Sequence, residues 1–209
     1  MSTAAIVHLV DDDAAFVRAL SRLLRASGYE VVTHASAAAF LTARRDGDCG
    51  CILLDLHMPG IDGLGLQREL AASPDPLPVV FMSGSADVPS AVRAMHGGAD
   101  DFLTKRADLG EIVRAIEHAL ARDRDQRAGR ERQRVATQRF AGLTQREREV
   151  LAALLRGLPN KLIAAELGIH ERTVKLHRTG LTGKLGVRST AELARLAAEA
   201  GLVEPPATG

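Results

Sequence analysis

Hydrophobic positions in the first 120 residues follow two alternating periods. Short apolar runs stand at residues 6–10, 30–34, 51–54, 78–82 and 102–104, and between them apolar residues recur at helical spacing. After the first run, Phe16, Leu20, Leu23 and Leu24 share one helical face, and Gly28 stops that helix. Ser36 caps a second helix through Ala39, Phe40 and Leu41. A third helix lies around 64–70 and ends near Pro74, and a fourth covers 88–95. A fifth covers 109–120, with Ile112, Ala115, Ile116 and Ala119 on one face. Five strand–helix repeats with short connections predict an α/β domain, a five-stranded parallel sheet covered on both faces. Ligands of such sheets bind at the carboxyl ends of the strands.

From Leu143 onward the pattern is helical only. Thr144 and Glu147 form a capping box opening a helix that Gly157 ends. Helices follow at 160–167, closed by Gly168, and at 171–185, closed by Gly186. Ser189 and Glu192 form a second capping box for a last helix reaching Ala200. Between the two halves, the Arg-rich segment 121–141 has almost no apolar stripe and reads as a solvated helical linker with Gly129 as its weak point. The interleaved Asp123, Asp125 and Glu131 argue against a basic nucleic-acid-binding arm. The expected organisation is therefore a domain at 1–120, a charged helical linker at 121–141, a small all-α domain at 142–201 and a disordered tail at 202–209, which carries Pro205 and Pro206.

Charge separates the halves more sharply than the net +1 indicates. Residues 1–120 carry 10 Lys+Arg against 16 Asp+Glu, and residues 121–209 carry 17 against 10. An acidic half followed by a basic half points to a polyanion-binding module behind a domain of different chemistry. Aromatics make up only 3% of the chain, so the cores must be aliphatic. Cys49 and Cys51 are too few for a disulfide framework or a zinc site and read as small hydrophobes. With no signal-peptide pattern and no long apolar stretch, a cytoplasmic protein without membrane association is expected.

Four of the strand ends carry chemistry. The first runs into Asp11 and Asp12 and the third into Asp55, so the carboxylates converge if these strands are neighbours. Close like charges destabilise one another unless a cation sits among them, and oxygen-only ligands suit Mg²⁺. The fourth strand ends at Ser83 and the fifth at Lys105, a hydroxyl and an ammonium. Together these groups make a site for a phosphoryl group, with Asp55 as nucleophile, Mg²⁺ as charge neutraliser, and Ser83 and Lys105 on the phosphoryl oxygens.

The elements Leu9-Val10-Asp11-Asp12-Asp13, Leu54-Asp55-Leu56-His57-Met58-Pro59-Gly60, Met82-Ser83-Gly84 and Phe102-Leu103-Thr104-Lys105 resemble the receiver domain of two-component response regulators over about residues 5–120. The resemblance implies a flavodoxin-like receiver whose Asp55 accepts a phosphoryl group from a sensor histidine kinase. It places Mg²⁺ on Asp12, Asp55 and the backbone carbonyl of His57, with Asp11 assisting through water. It makes Phe102 the aromatic that swings inward when Ser83 moves onto the phosphoryl group; ordinary packing is the alternative for Phe102. One position departs from the family: Arg106 follows Lys105 where a cis proline is usual. A cis bond before a non-proline costs about 2.5–4 kcal/mol, so this loop is either trans and rearranged or strained.

In the second half, segments 143–151, 157–164 and 172–177 have helix-turn-helix spacing, with Arg172, Lys175, Arg178 and Thr179 on the exposed face of the third helix. Over about residues 140–200 this is similar to the effector domain of NarL/FixJ (LuxR-type) regulators. The resemblance makes 171–185 the recognition helix and puts Lys175, Leu176 and Thr179 where members contact bases. Position 179 is often longer and basic in relatives. Charge adds Lys161 and Arg178 as phosphate contacts. Gly180 and Gly183 each cost a helix about 1 kcal/mol relative to Ala, and either permit close packing or loosen the helix end. Leu193 and Leu196 fit either a dimer contact or the core.

The halves together predict a transcription regulator in which phosphorylation of Asp55 controls homodimerisation, through the helices at 88–95 and 109–120, and binding to promoter DNA, with RNA polymerase as a further partner. The alternatives are DNA binding independent of phosphorylation and an aspartyl-phosphate phosphohydrolase. His57 stands where such hydrolases carry their second catalytic acid, which argues against an enzyme beyond slow self-dephosphorylation.

Overall fold

The computed structural model describes residues 5–45, 47–85 and 88–203. The chain forms two compact units, dividing between Gln126 and Arg127. In the first, β1 (Ile6–Val10), β2 (Glu30–His34), β3 (Gly50–Asp55), β4 (Val79–Ser83) and β5 (Asp101–Thr104) form one sheet in the order β2-β1-β3-β4-β5. Every pairing is parallel. The helices α1 (Ala14–Ala26), α2 (Ala37–Ala43), α3 (Gly63–Ala71), α4 (Val88–His96) and α5 (Leu109–Ala141) alternate with the strands. This is the flavodoxin-like order, and its winding reverses between β1 and β3, where a crevice opens at the strands' carboxyl ends.

The sheet has an aliphatic cluster on each face. Val7, Leu9, Leu53, Val80 and Met82 pack with Leu20, Leu24 and the predicted α5 face of Ile112, Ala115, Ile116 and Ala119. On the other face, Ile52, Leu54 and Phe81 pack with Phe40, Leu66 and Leu70. All six residues of β3 are buried, as a central strand covered on both sides requires. Leu23 departs from expectation: it is 50% exposed. On α1, Leu23 lies about 100° around the helix from Leu24, at the edge of the face that Leu20 and Leu24 bury.

The helix expected across 121–141 is present, but its solvated character and the weak point at Gly129 need correction: α5 runs without interruption through Gly129 to Ala141, and parts of it are buried. Asp123, 2% exposed, accepts a hydrogen bond from the Gly50 N–H at 3.0 Å. Neighbouring Arg122 pairs with Asp100 at 2.7 Å. Further on, Ala136 and Phe140 are buried in the core of the second unit. Two apolar residues at i, i+4 spacing are enough to seat a helix end, although they make no visible stripe.

The second unit adds α6 (Gln145–Leu155), α7 (Asn160–Leu167), α8 (Glu171–Leu185) and α9 (Thr190–Glu199). The capping box at Thr144 and Glu147 is complete. The second is half formed: the Glu192 N–H donates to Ser189, but the Glu192 carboxylate accepts from the Arg188 N–H instead. Gly168 and Gly186 close α7 and α8 in the left-handed conformation, which glycine adopts without cost. Leu193 and Leu196 lie in the core, so their alternative role as a dimer contact falls away. The disorder expected from 202 onward does not hold at its start: the Leu202 N–H donates to the Ala197 carbonyl and Val203 packs partly buried against the same core, while 204–209 lie outside the described residues. Among the described residues no helix is long and apolar enough to cross a membrane.

One buried polar pair has consequences for stability. His8 Nδ1 and His34 Nε2 are 3.2 Å apart beneath α2, with Phe40 edge-on to both rings. Burial, then the neighbouring His34, lowers the His8 pKa from 6.5 to about 4, with Asp48 acting to raise it and Arg44 to lower it. The unfolded chain therefore takes up this proton near pH 6.5 and the folded chain only near pH 4. The His8 contribution is fully present above about pH 6.5 and falls away as the pH drops through that window, to a total of roughly 3 kcal/mol. Denaturant unfolding of the first unit between pH 7 and 4 should show this loss, and His8→Val should flatten it; equal acid sensitivity in the variant would refute the assignment.

Candidate functional site

The reversal point of the sheet places the acidic residues together. β1 ends at Val10, so Asp11 and Asp12 project beyond it, and Asp55 is the last residue of the adjacent β3. One carboxylate oxygen of each of Asp11, Asp12 and Asp55 lies within 4.8 Å of the others. Asp11 and Asp55 are buried, at 1% and 4% exposure, while Asp12 is exposed.

Lys105 reaches this cluster from the end of β5. Its Nζ lies 2.7 Å from Asp11 Oδ2 and 3.2 Å from Asp55 Oδ1. Burial alone would lower the Lys105 pKa, but pairing with Asp11 and Asp55 outweighs it and raises the value. Asp55 shifts upward, because burial and then the Asp11 charge disfavour its ionised form more than Lys105 favours it. A second cation among the carboxylates would offset that repulsion, and the all-oxygen donor set fits a hard divalent ion.

Ser83, fully buried, ends β4 beside Asp55, whose register partner is Met82. The Lys105 N–H donates to the Ser83 carbonyl at 2.8 Å, tying the ends of β4 and β5. The peptide bond before Arg106 is trans, which resolves the question raised by the missing proline. Phe102 is half-buried and stacks on Phe81, its register partner, at 6.2 Å. The side chain of His57 is exposed.

Three contributors were not singled out from sequence. Asp13 caps α1 by accepting from the Ala15 and Phe16 N–H groups, and its own N–H donates to Asp11 Oδ1 at 2.8 Å. An Asp just before a helix could have revealed it. Phe16 lies under Lys105, with Nζ 5.0 Å from the ring centroid, a contact with no signal in the chain. Gly63 begins α3 so close to Asp55 that a Cβ there would stand 2.4 Å from the Asp55 carbonyl oxygen.

In the second unit, α7, the turn at Gly168 and α8 form a helix-turn-helix. Val174, Leu181 and Leu185 form the buried back of α8. Lys175, Leu176 and Thr179 are exposed on another face, and Lys161 is exposed on α7. Lys175 pairs loosely with Glu171 at 3.4 Å, and Thr179 bonds back to the Lys175 carbonyl. Arg178 differs from these: it is half-buried and donates to Asn160 Oδ1 at 2.8 Å, bracing α7 against α8.

Known proteins match both units. The response regulator receiver domain family matches residues 7–117, and the LuxR family of bacterial regulatory proteins matches residues 141–197. The transcriptional regulatory protein FixJ of Azorhizobium caulinodans is 45% identical over 94% of this chain and 93% of its own length. The response regulator protein TodT of Pseudomonas putida is 39% identical over 92% and 85%. Among solved structures, the response regulator StyR aligns with a TM-score of 0.81 at 44% identity, covering 94% of this chain and all of StyR. Full-length FixJ from B. japonicum aligns at 0.59 and 37% identity, over 97% of this chain and all of that one. The chain belongs to the FixJ-like response regulators, which join a receiver to a LuxR-type DNA-binding domain. It is a two-component transcription regulator, not a classical enzyme.

The Gly63 contact gives a direct test of how the pocket is built. Gly63→Ala should force the Asp55 backbone or α3 to move, costing about 1–3 kcal/mol of receiver stability. Urea unfolding measures this, and an unchanged midpoint would refute the tight packing described here.

Proposed function

We propose that Asp55 is the phosphoacceptor and that its phosphorylation by a sensor histidine kinase governs DNA binding by the second unit. The observation that carries this reading is the cluster of Asp11, Asp12 and Asp55 with Lys105 on two of its members. An Asp55 oxygen attacks the phosphorus of the kinase's phosphohistidine. The new P–O bond forms as the P–N bond breaks, and the imidazole leaves with the electron pair. Attack requires ionised Asp55, so Lys105, which favours the charged form, also activates the nucleophile. Once the acyl phosphate exists, Lys105 and the Ser83 hydroxyl hold its oxygens. Mg²⁺, held by Asp12, Asp55 and the His57 carbonyl, with Asp11 assisting through water, would neutralise charge on the phosphoryl group. Water attacking phosphorus restores Asp55 in a slow self-dephosphorylation.

Engagement of Ser83 draws Phe102 inward, altering the surface of α4 and α5. That surface carries an apolar row, Val88, Val92 and Met95, all exposed, and this supports homodimerisation upon phosphorylation. Two effector units in one dimer gain affinity by effective concentration. Lys175, Leu176 and Thr179 then contact bases, while Lys161 and Arg178 contact phosphates. The domain limits proposed are 1–120 for the receiver and 142–201 for the effector. The protein works in the cytoplasm with promoter DNA and RNA polymerase.

Three measurements test this reading. Incubation with a small phosphoryl donor and Mg²⁺ should label the wild type with acid-stable, base-labile phosphate and leave Asp55→Ala unlabelled; labelling of the variant refutes the assignment. Light scattering with Mg²⁺ and beryllofluoride should show a monomer becoming a dimer only when Asp55 is present. An unchanged mass would remove solution dimerisation as the switch. Unaltered target output in Asp55→Ala would establish regulation without phosphorylation.

A further inference from the structure

The capping-box residue Glu147 does more than its place in α6 requires. It is buried, yet its carboxylate serves three donors. Oε2 accepts from the Thr144 N–H at 2.8 Å, the Thr144 hydroxyl at 3.0 Å and Lys184 Nζ at 2.7 Å. The first two close the cap within α6. The third crosses to the last turn of α8, thirty-seven positions along the chain. Lys184 Nζ also reaches the Gly142 carbonyl at 3.4 Å, so the same ammonium touches the turn leading into α6.

The other carboxylate oxygen explains a glycine in the recognition helix. A Cβ at Gly180 would stand 2.9 Å from Glu147 Oε1, inside van der Waals contact. Gly180 and Lys184 are one turn apart on α8 and therefore share a face. One receives the carboxylate against bare backbone, and the other bonds it. The glycine costs the helix about 1 kcal/mol in propensity, which a mere spacer would not offset. Gly183, by contrast, has nothing within 4 Å of its Cβ position and gets no such account.

An aliphatic seam alone leaves a helix free to rotate a little about its axis, because dispersion contacts are nondirectional. A charged hydrogen bond is directional. Lys175, Leu176 and Thr179 lie on the exposed face, so a rotation of α8 would move all three relative to a groove. We propose that Glu147 is a positioning residue for DNA recognition: through Lys184 and against the bare backbone of Gly180, its carboxylate fixes the rotation and axial position of α8. This rests on α8 being the DNA-reading helix. Lys184 first, then the Thr144 N–H, holds the Glu147 pKa at about 2, so the tie stays ionised at any working pH.

The test uses the full-length chain and a duplex selected from a random library by the wild-type protein, with a scrambled duplex for non-specific binding. Gly180→Ala keeps every charge and improves helix propensity. It should weaken binding to the selected duplex about tenfold while leaving the scrambled duplex within about twofold. Glu147→Gln removes a negative charge, which by itself would favour binding to a polyanion, so a loss of specific affinity there cannot be electrostatic. Ser189→Ala, which removes the cap hydroxyl of α9 instead, should lower the melting temperature without changing the affinity ratio. All affinities are taken well below each variant's melting temperature, so that Glu147→Gln still decides the matter if Gly180→Ala does not fold. Unchanged discrimination in folded Gly180→Ala and Glu147→Gln overturns the proposal and leaves Glu147 as a cap. If Leu176→Ala also binds the selected duplex normally, the assignment of α8 as the reading helix fails instead.

Discussion

The receiver is organised around an electrostatic conflict. Parallel winding that reverses between β1 and β3 brings three carboxylates to one crevice, and two of them are buried. Like charges this close oppose folding unless something compensates, and among the described residues Lys105 is the cation paired to two of them. It comes from β5, two strands away from β3, so the compensation spans the sheet. The upward shift at Asp55 shows that it is incomplete. A carboxylate cluster left partly unbalanced has the donor set that suits a divalent cation. Under the function proposed above, a change of charge on Asp55 would then be the differential interaction that shifts a conformational equilibrium.

The second unit meets a different constraint. It has few aromatics and a core built largely from Leu, Val, Ile and Ala. Such a core buries surface well but specifies orientation weakly, because small aliphatic contacts are tolerant of sliding. Directional contacts at the edges supply what the core lacks. Arg178 ties α8 to α7 through Asn160, Lys184 ties it to α6 through Glu147, and Arg139 of α5 bonds the Leu185 carbonyl at its end. The aromatic side chains of the receiver are likewise placed where geometry counts, Phe81 on Phe102 and Phe40 against the histidine pair.

Much of this was legible in the chain because it follows from local rules. Strand ends fall where apolar runs meet polar residues, so Asp11, Asp12, Asp55, Ser83 and Lys105 can be assigned to one end of a sheet from the chain alone. Helix limits at Gly168 and Gly186 follow from the same kind of local chemistry. What was not legible depends on partners distant in sequence. Asp123 looked like a solvated linker charge until its bond to Gly50, seventy-three positions away, gave it a buried partner. Ala136 and Phe140 make no stripe on α5, yet both are buried. Leu23 belongs to an apolar face by periodicity, but Ser21 takes a buried place on α1 while Leu23 lies at its edge. The Ser189 motif reads as a reciprocal cap, and only the backbone shows that Arg188 takes the second bond.

Arg106 shows where a family pattern and the physics beneath it separate. A cis proline beside the lysine is one way to aim an ammonium at the crevice, but aim is the requirement. Here β5 pairs in register with β4, Thr104 opposite Ser83, and the Lys105 N–H continues the ladder to the Ser83 carbonyl. Those contacts fix the Lys105 backbone before residue 106 is reached, and Phe16 supports its ammonium from α1. The trans bond therefore leaves the lysine on Asp11 and Asp55. Any difference the substitution makes must act beyond the pocket, in the turn from Arg106 to the start of α5, whose first turn is held by the Asp108 side chain on the Glu111 N–H.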